Sequence, residues 1–212
     1  MKKLKILSTS FYTGMDACLI AKNLLGKIMV TDFNGKRCVA MIVETEAYMA
    51  PEDLACHARG NRRTERTETM FAQGGVAYIY RCYGIHHLLN AVTAPEGVAH
   101  AVLFRAVEPI EGVEHMMERR ARNTLDVSVT NGPGKLTQAM GIRDCLNGEK
   151  LTHPEGCMCI GDSGIYIPTT SIVSGPRVGM SPLTKVYGHF PWRFFIKNNR
   201  WVSKPWHVSY NW

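Results

Sequence analysis

The sequence predicts an α+β fold: a single domain, residues 1–212, with a mostly antiparallel, curved β-sheet flanked by helices. Two apolar and β-branched runs, at 27–32 and 37–48, are joined through Asn34-Gly35, a dipeptide typical of a two-residue hairpin turn. Helical patterns are inserted irregularly among the strands and do not alternate with them, which favours α+β over α/β. The length of 212 residues suits one domain with a sizeable core.

Each remaining element is predicted from its own local pattern. The first helix covers 17–25, where Ile20 and Leu24 recur at helical spacing. Asp16 precedes this helix, and Gly26 is placed to end it. Apolar, β-branched runs predict strands, and apolar residues on one face predict helices. These are strands at 76–80, 98–107, 164–167 and 192–196, and helices at 111–122 and 136–140.

Composition indicates a protein of the cell interior with a negatively charged partner. The chain carries 25 Lys and Arg against 18 Asp and Glu, a formal charge of +7, which suits a nucleic acid. Its 7 cysteines are odd in number and irregularly spaced, which indicates free thiols in a reducing compartment. The sequence shows neither a signal peptide nor a stretch near the ~20 apolar residues of a membrane helix. We therefore expect an intracellular protein with no membrane association, in the cytoplasm or nucleoid if it is bacterial.

Motifs for metals and cofactors are weak or lacking. Cys157-Met158-Cys159 with His153 is a poor zinc signal without a second cysteine pair, and free thiols are the favoured interpretation. The chain has no G-x-G-x-x-G, Walker or H-E-x-x-H motif. We predict no metal and no cofactor.

Two carboxylates at the end of a buried strand are the most informative feature. Alternate side chains of a strand share a face, so Ile42, Glu44, Glu46 and Tyr48 are expected to point one way. Burying carboxylates is costly unless they are paired. Arg105, inside another apolar run, needs a strong acceptor of its own. Two interpretations stay open: a structural ion pair, or a division of labour in which one glutamate is structural and the other performs acid–base chemistry.

A set of tyrosines follows further along the chain. Tyr78 and Tyr80 alternate on a predicted strand, and Tyr83 comes next in a turn beside Gly84. Aromatic rings are the usual platform for stacking an unpaired base. Core packing is the favoured interpretation for Tyr78, and exposure to solvent is favoured for Tyr83.

Basic side chains cluster in the segment 57–67, which holds four arginines against one glutamate. This composition suits phosphate oxygens, and a solvated basic loop is the alternative. Gly132-Pro133-Gly134-Lys135 is either a plain helix start or a turn whose amides and lysine hold a phosphate. The arginines of the segment are Arg59, Arg62, Arg63 and Arg66.

Taken together, these motifs resemble the alkyladenine (3-methyladenine) DNA glycosylase family, to which a human enzyme belongs. The match covers nearly the whole chain from about residue 24, although the segment 146–170 carries little of the pattern. Each piece is short, and their joint order is specific. The pieces lie at 43–48, 51–53, 57–60, 70–71, 78–80, 83–84, 90, 103–109, 132–136, 177–179 and 201–203.

The resemblance implies roles for the residues that match. Glu46 would be the general base that activates water, Arg105 would help to hold that water, and the main chain near Met180 would complete the water site. Glu44 is assigned to structure. The other implied roles are a base pocket of Tyr48, His57, Tyr80, Asn90 and Met180, in which Asn90 excludes guanine, and DNA contacts by Tyr83, Arg59, Arg62, Arg63, Arg66 and Lys135.

The predicted function follows from the same resemblance. The protein would flip an alkylated or deaminated purine (3-methyladenine, 7-methylguanine, hypoxanthine or ethenoadenine) out of double-stranded DNA. It would then hydrolyse the N-glycosidic bond with an activated water and leave an abasic site, without lyase activity and as a monomer. Two other classes are weighed. A non-catalytic nucleic-acid-binding module has no use for Glu46 with Arg105, and a hydrolase of free nucleosides has no use for the arginine segment or Tyr83.

Overall fold

One antiparallel sheet of nine strands organises the chain in the computed structural model, which describes residues 4–180 and 182–203, without the side chains at 182, 183 and 185. The strand order is β1-β7-β2-β3-β6-β5-β4, and β9 joins β8 to β3. The predicted α+β class is confirmed. The strands are β1 Lys5–Ile6, β2 Ile28–Phe33, β3 Lys36–Met49, β4 Ala77–Cys82, β5 His86–Thr93, β6 His100–Glu111, β7 Met158–Asp162, β8 Ile172–Gly175 and β9 Arg193–Ile196.

Four α-helices flank this sheet in the described part of the chain. The second begins where Asp16 accepts a hydrogen bond from the Leu19 amide, and the fourth begins at a proline, a residue suited to a first helical turn. The second helix is joined to β3 by the Thr45 hydroxyl, which donates to Ala21 O at 2.9 Å. The helices are α1 Thr9–Tyr12, α2 Ala17–Leu24, α3 Val113–Arg119 and α4 Pro133–Met140.

The turn between β2 and β3 has the predicted form. Asn34 and Gly35 both have positive φ, 56° and 77°, as a type I′ hairpin requires. Ile28 then lies opposite Met41 and Phe33 opposite Lys36 in an unbroken register. This hairpin carries β3 through the centre of the sheet, and its far end holds the two glutamates.

The register of β3 against β6 is irregular where the glutamates lie. Ile42 pairs with Val107 and Glu44 with Ala106, so Val43 has no partner; on β6, Arg105 is the residue left over. A residue inserted in this way shifts the alternation of side chains. Ile42 therefore packs in the large core cluster together with Val43, and the predicted common face of Ile42 and Glu44 is wrong.

One predicted strand is wrong, and β1, β5, β7 and β8 were not predicted. No strand covers 164–167; the chain instead forms β7 at Met158–Asp162, between β1 and β2. The strand β5 was not predicted, because it starts with two histidines and carries a polar Asn90.

No helix in the described ranges is long and apolar enough to cross a membrane. The described residues also contain no cluster of three or more His, Cys, Asp or Glu suited to a metal ion.

A second, smaller apolar cluster lies under the candidate site. It combines buried residues of the segments that follow β3 with residues of β4, β5 and β6, and Tyr48 and Tyr80 pack against it. Rings supported on one side by a core are restricted in orientation. Its buried members are Ala50, Cys56, Ala58, Met70, Phe71, Tyr78, Val92, Ala99 and Ala101.

Candidate active site

Glu46 lies on β3 as a fully buried carboxylate with three donors around it. Its Oε1 accepts from the Val178 amide at 2.7 Å and lies 3.2 Å from Arg105 Nη1. Its Oε2 accepts from the Tyr48 hydroxyl at 2.8 Å. The amide that reaches Glu46 thus belongs to Val178, two residues before the predicted Met180.

Glu44 has a different environment, because its donors come from the buried residues Arg105, Arg193 and Ser203. Its Oε1 accepts from Arg105 Nε at 2.8 Å, Arg193 Nε at 2.7 Å and the Ser203 hydroxyl at 2.8 Å. Its Oε2 accepts from the Ser203 amide at 2.7 Å. Glu44 therefore fixes the guanidinium of Arg105, whose other end faces Glu46. Burial disfavours the charged form of Arg105, but the charges of Glu46 and Glu44 outweigh it and raise the pKa of that guanidinium.

An aromatic cavity of about 280 Å³ is lined in part by Tyr48, the residue whose hydroxyl is bonded to Glu46. Glu46 itself is closed off behind Tyr48, whose ring forms part of the wall. The cavity brings together the five residues predicted from sequence for a base pocket, and it adds Tyr78, Cys56 and Arg59. The predicted five are Tyr48, His57, Tyr80, Asn90 and Met180.

A larger groove of about 840 Å³ lies beside the hairpin that carries Tyr83. It is lined in part by Ile85 and His86 and by α4, which is joined to β5 where the Thr137 hydroxyl donates to His87 O at 2.6 Å. None of its lining residues is a carboxylate. The lining of the smaller cavity also lacks a carboxylate, but it includes Tyr48, whose hydroxyl donates to Glu46, so the smaller cavity is the candidate active site.

His57 is a neutral imidazole held in one orientation. Its Nδ1 is 2.9 Å from the Tyr78 hydroxyl, its Nε2 is 3.4 Å from an Arg66 nitrogen, and its ring meets Tyr80 edge-on at 4.5 Å. Burial, followed by the charges of Arg66 and Arg59, lowers the pKa of His57 to about 4. Because Arg66 can only donate, we assign the proton of the neutral ring to Nδ1, which donates to Tyr78.

The tyrosine, cysteine and asparagine side chains of the cavity are also neutral. Burial raises the pKa of Tyr78 to about 12, and burial likewise raises the pKa values of Tyr48 and Tyr80. Burial raises the pKa of Cys56 to about 12, so this thiol is unreactive near neutral pH. Asn90 is fixed by a hydrogen bond of 3.1 Å from its Nδ2 to Tyr78 O.

Tyr83 stands at the tip of the β4–β5 hairpin with its ring in solvent. The side chain is 91% exposed, and the neighbouring Ile85 is 73% exposed. Tyr83 and Gly84 both adopt positive φ, 52° and 72°, which makes the tight turn. The structure therefore presents an exposed aromatic ring at the tip of this hairpin, as expected from the sequence.

The four arginines of segment 57–67 differ from one another in the structure. Arg59 lines the cavity and Arg66 lies over the Tyr80 ring at 5.3 Å. Arg63 is paired with Glu68 at 2.6 Å. Arg62 is exposed, and no described residue pairs with its side chain. Two of the four are thus directed toward the cavity, and one is neutralised by a carboxylate.

Lys135, in the first turn of α4, lies in a second basic group. Its Nζ donates to Asn131 Oδ1 at 2.9 Å. Burial, together with the charges of Arg120 and Arg122, lowers the pKa of Lys135. The charge of Asp126 offsets part of this effect, and phosphate contact by Lys135 stays a prediction.

Sequence reasoning missed a buried ion pair behind the cavity. Arg177 donates from Nη1 to Asp53 Oδ2 at 2.6 Å and from Nη2 to Asp53 Oδ1 at 2.9 Å, and both residues are fully buried. Both lie in motifs that carried the family resemblance, at 51–53 and 177–179. An aspartate and an arginine in two otherwise unassigned motifs were the available signal, but their pairing is non-local.

Comparison with known proteins gives one family. Residues 10–200 match the family model described as Methylpurine-DNA glycosylase. Three relatives share the name "Putative 3-methyladenine DNA glycosylase". The relative from Chlamydia abortus is 41% identical over 90% of this chain and 98% of its own length. Those from Bacillus mycoides and Clostridium perfringens (strain SM101) are each 40% identical, over 92% and 93% of this chain, and 98% of each relative is covered.

The fold, the carboxylate centre and these matches define a DNA glycosylase, an enzyme of DNA base-excision repair. The chain belongs to the methylpurine-DNA glycosylase family. The resemblance found from the motifs is confirmed, and it extends over almost the whole chain. Family membership favours the enzyme over a binding module or a hydrolase of free nucleosides.

Proposed function

We propose that this enzyme flips an alkylated or deaminated purine out of double-stranded DNA and hydrolyses its N-glycosidic bond with a water activated by Glu46. The observation that carries the proposal is the buried Glu46, held by Tyr48, Val178 and Arg105 directly behind the Tyr48 ring that forms part of the wall of an aromatic cavity. A carboxylate has about four acceptor positions. The three donors leave one position for a water.

A cationic methylated purine leaves as a neutral base, so its release needs one ionised carboxylate and little help to the leaving group, whereas neutral hypoxanthine or ethenoadenine must also take up a proton from solvent as it leaves. Departure of a damaged purine leaves a sugar of oxocarbenium character, which the negative charge of Glu46 stabilises while the carboxylate takes a proton from water. Arg105, fixed by Glu44, holds the water on the reacting side. Water is the nucleophile, so the product is an abasic site with an intact backbone and no lyase step is required.

Recognition depends on replacing the stacking that a flipped base loses. Extrusion costs a few kcal/mol, and the exposed ring of Tyr83 would enter the duplex to occupy the vacated space. Tyr48, His57 and Tyr80 would enclose the base in the cavity. Asn90, fixed by its bond to Tyr78, would crowd the exocyclic amine of guanine and so exclude it.

The substrates that suit this cavity are purines with altered edges. We propose 3-methyladenine, 7-methylguanine, hypoxanthine and ethenoadenine as its range. The rings of the cavity favour cationic methylated bases by face contact. The neutral His57 adds no repulsive charge of its own toward such a cation.

DNA contact would extend from the cavity along the basic residues around it. Arg59, Arg62, Arg63, Arg66 and Lys135 are proposed to meet phosphates. We further propose that the chain acts as one catalytic domain and as a monomer. Because its substrate is DNA, we propose that it acts inside the cell.

Single-turnover base release from duplex DNA with one hypoxanthine tests the function. Wild type should leave an alkali-labile site without cutting the strand itself. Glu46→Gln should bind the same DNA and release no base. Glu155→Gln, at an exposed glutamate outside the site, should behave as wild type. Release of base by Glu46→Gln at the wild-type rate would overturn the role of Glu46, and DNA binding without release by wild type would overturn the activity on this substrate.

A further inference from the structure

Arg177 forms hydrogen bonds to three separate chain segments around the candidate active site. Besides its two bonds to Asp53, its Nη1 donates to Ala47 O at 2.9 Å and its Nη2 to Tyr187 O at 2.9 Å. Ala47 is the residue between Glu46 and Tyr48 on β3. One planar side chain therefore bonds to β3, to the segment that leads to the cavity residues Cys56 and His57, and to the segment after Met180.

The Asp53 end of this arrangement is itself held by the backbone. Asp53 Oδ1 accepts from the Ala55 amide at 3.0 Å, Oδ2 accepts from the Met49 amide at 3.3 Å, and Asp53 O accepts from the Cys56 amide at 2.9 Å. A bidentate arginine–carboxylate pair has a defined geometry that a point charge does not reproduce. The position of Arg177 thus sets the position of the chain that enters the cavity at Cys56.

The guanidinium also lies against the ring of Tyr48. Its Cζ is 4.6 Å from the centroid of Tyr48 and 5.1 Å from that of Trp192. Since one face of the Tyr48 ring is covered by Arg177, the face that borders the cavity is determined. Tyr48 in turn donates its hydroxyl proton to Glu46 at 2.8 Å.

The residue after Arg177 contacts Glu46 directly, because the Val178 amide donates to Oε1 at 2.7 Å. Arg177 therefore reaches Glu46 by two routes, through the Tyr48 hydroxyl and through the Val178 amide. Its own charge is matched by Asp53, so its main effect at the cavity is geometric.

We propose that Arg177 is a positioning residue, which holds both the stacking face of Tyr48 and the Val178 N–H donor in place for Glu46. The inference rests on the proposed function, since it concerns the rate of base release. If Arg177 is a positioning residue, its substitution should reduce the rate of base release more strongly than it reduces protein stability or DNA affinity.

Arg177→Lys tests this against Arg119→Lys, the same change at an arginine that donates to Ala139 O at 3.0 Å and is bonded neither to Glu44 or Glu46 nor to a residue that lines the cavity. Lysine keeps the charge and loses the two-pronged geometry. The rate of base release under single-turnover conditions, the affinity for abasic-site DNA and the melting temperature are measured for both. Displacement of a catalytic group by about 1 Å costs up to about 100-fold in rate, so we expect Arg177→Lys to lose about 30-fold.

The expected pattern separates positioning from stability. Arg177→Lys should bind abasic-site DNA within about threefold of wild type, while its acidic limb of the pH–rate profile moves to higher pH, because a carboxylate that loses an N–H donor is protonated more readily. Arg119→Lys should lower the melting temperature but slow release no more than about threefold. Asp53→Asn, which keeps the shape of the partner, should show the Arg177→Lys pattern in weaker form and serves if the lysine variant does not fold.

Two outcomes would overturn the inference. Equal loss of rate in the two lysine variants at equal loss of melting temperature would make Arg177 structural only. An unchanged pH–rate profile in both Arg177→Lys and Asp53→Asn would exclude a route through Glu46. Lack of base release by wild type would instead be a failure of the proposed function, so the two failures are distinguishable.

Discussion

The hydroxyl of Tyr48 donates a hydrogen bond of 2.8 Å to Oε2 of Glu46, two residues earlier on the same strand. The side chains of both residues leave β3 on one face, one as part of the cavity wall and the other as a buried carboxylate. A base stacked on Tyr48 would therefore rest on a ring that is bonded to the proposed general base. In the proposed mechanism, binding of the base and orientation of Glu46 would be coupled through this contact.

Tyr48→Phe should slow base release without weakening the binding of DNA. The ring stays in place, but Glu46 loses a hydrogen bond to its charged form, an interaction worth about 1.5–3 kcal/mol, so we expect a loss of about 10- to 100-fold in single-turnover rate. Tyr48→Leu, which also removes the ring, should lose more rate and affinity for a flipped base. A Tyr48→Phe enzyme as fast as wild type would show that the hydroxyl does not position Glu46.

Glu44→Gln should destabilise the protein more than any surface change of the same kind. The substitution leaves Arg105 and Arg193 buried without their carboxylate, and breaking a buried pair costs about 3–5 kcal/mol. Glu118→Gln, in an exposed pair with Lys36, is the control and should leave the urea midpoint almost unchanged. Similar midpoints for the two variants would contradict the structural assignment of Glu44.

His57 should make stability depend on pH in the mildly acidic range. Its pKa falls from 6.5 to about 4 on folding, so the unfolded chain binds more protons between those values. The contribution is full above about pH 6.5 and is lost as the pH falls toward 4. The difference in urea midpoint between wild type and His57→Gln should therefore shrink on acidification, and an NMR titration of His57 should give the low pKa directly. A difference in urea midpoint that stays constant over this pH range would contradict the lowered pKa of His57.

Local chemistry determined the parts of the fold that the sequence predicted correctly. The Asn34-Gly35 turn and the start of α2 at Asp16 depend on a few adjacent residues. The strand β7 was missed because Gly161 interrupts its apolar pattern. The structure explains this glycine, since a Cβ there would lie 2.6 Å from Leu4 Cγ. That contact, and the pairing of β7 with β1 and β2, joins segments far apart in the chain.

The two glutamates show why the candidate site was only partly predictable. Glu44 and Glu46 have the same side chain and adjacent positions on one face, and local pattern cannot separate them. The donors that occupy Glu44 include the Ser203 amide, 159 residues away along the chain. The Val178 amide, which donates to Glu46, lies 132 residues away from it along the chain. The residue types predicted a centre of carboxylates and an arginine, but the different hydrogen-bond environments of Glu44 and Glu46 depend on tertiary packing.

Arg62 and Arg63 are adjacent in sequence but should contribute unequally to DNA binding. Arg62 is exposed and has no side-chain partner within the described part of the chain, whereas Arg63 donates to both carboxylate oxygens of Glu68. A cation already neutralised by a carboxylate releases fewer counterions from DNA. We expect Arg62→Ala to reduce the slope of log affinity against log salt by about 0.9, and Arg63→Ala to reduce it by clearly less.

The measurement is a salt titration of binding to duplex DNA with one abasic site, which separates affinity from catalysis. Glu68→Gln provides the matched control, because it frees the Arg63 guanidinium and should raise the slope toward the value expected for one more contact. If Arg62→Ala and Arg63→Ala reduce the slope equally, the pair with Glu68 opens when DNA binds and the segment acts as a uniform basic surface. If neither changes the slope, phosphate contact by these two arginines is excluded, and DNA binding depends on Arg59, Arg66 and Lys135.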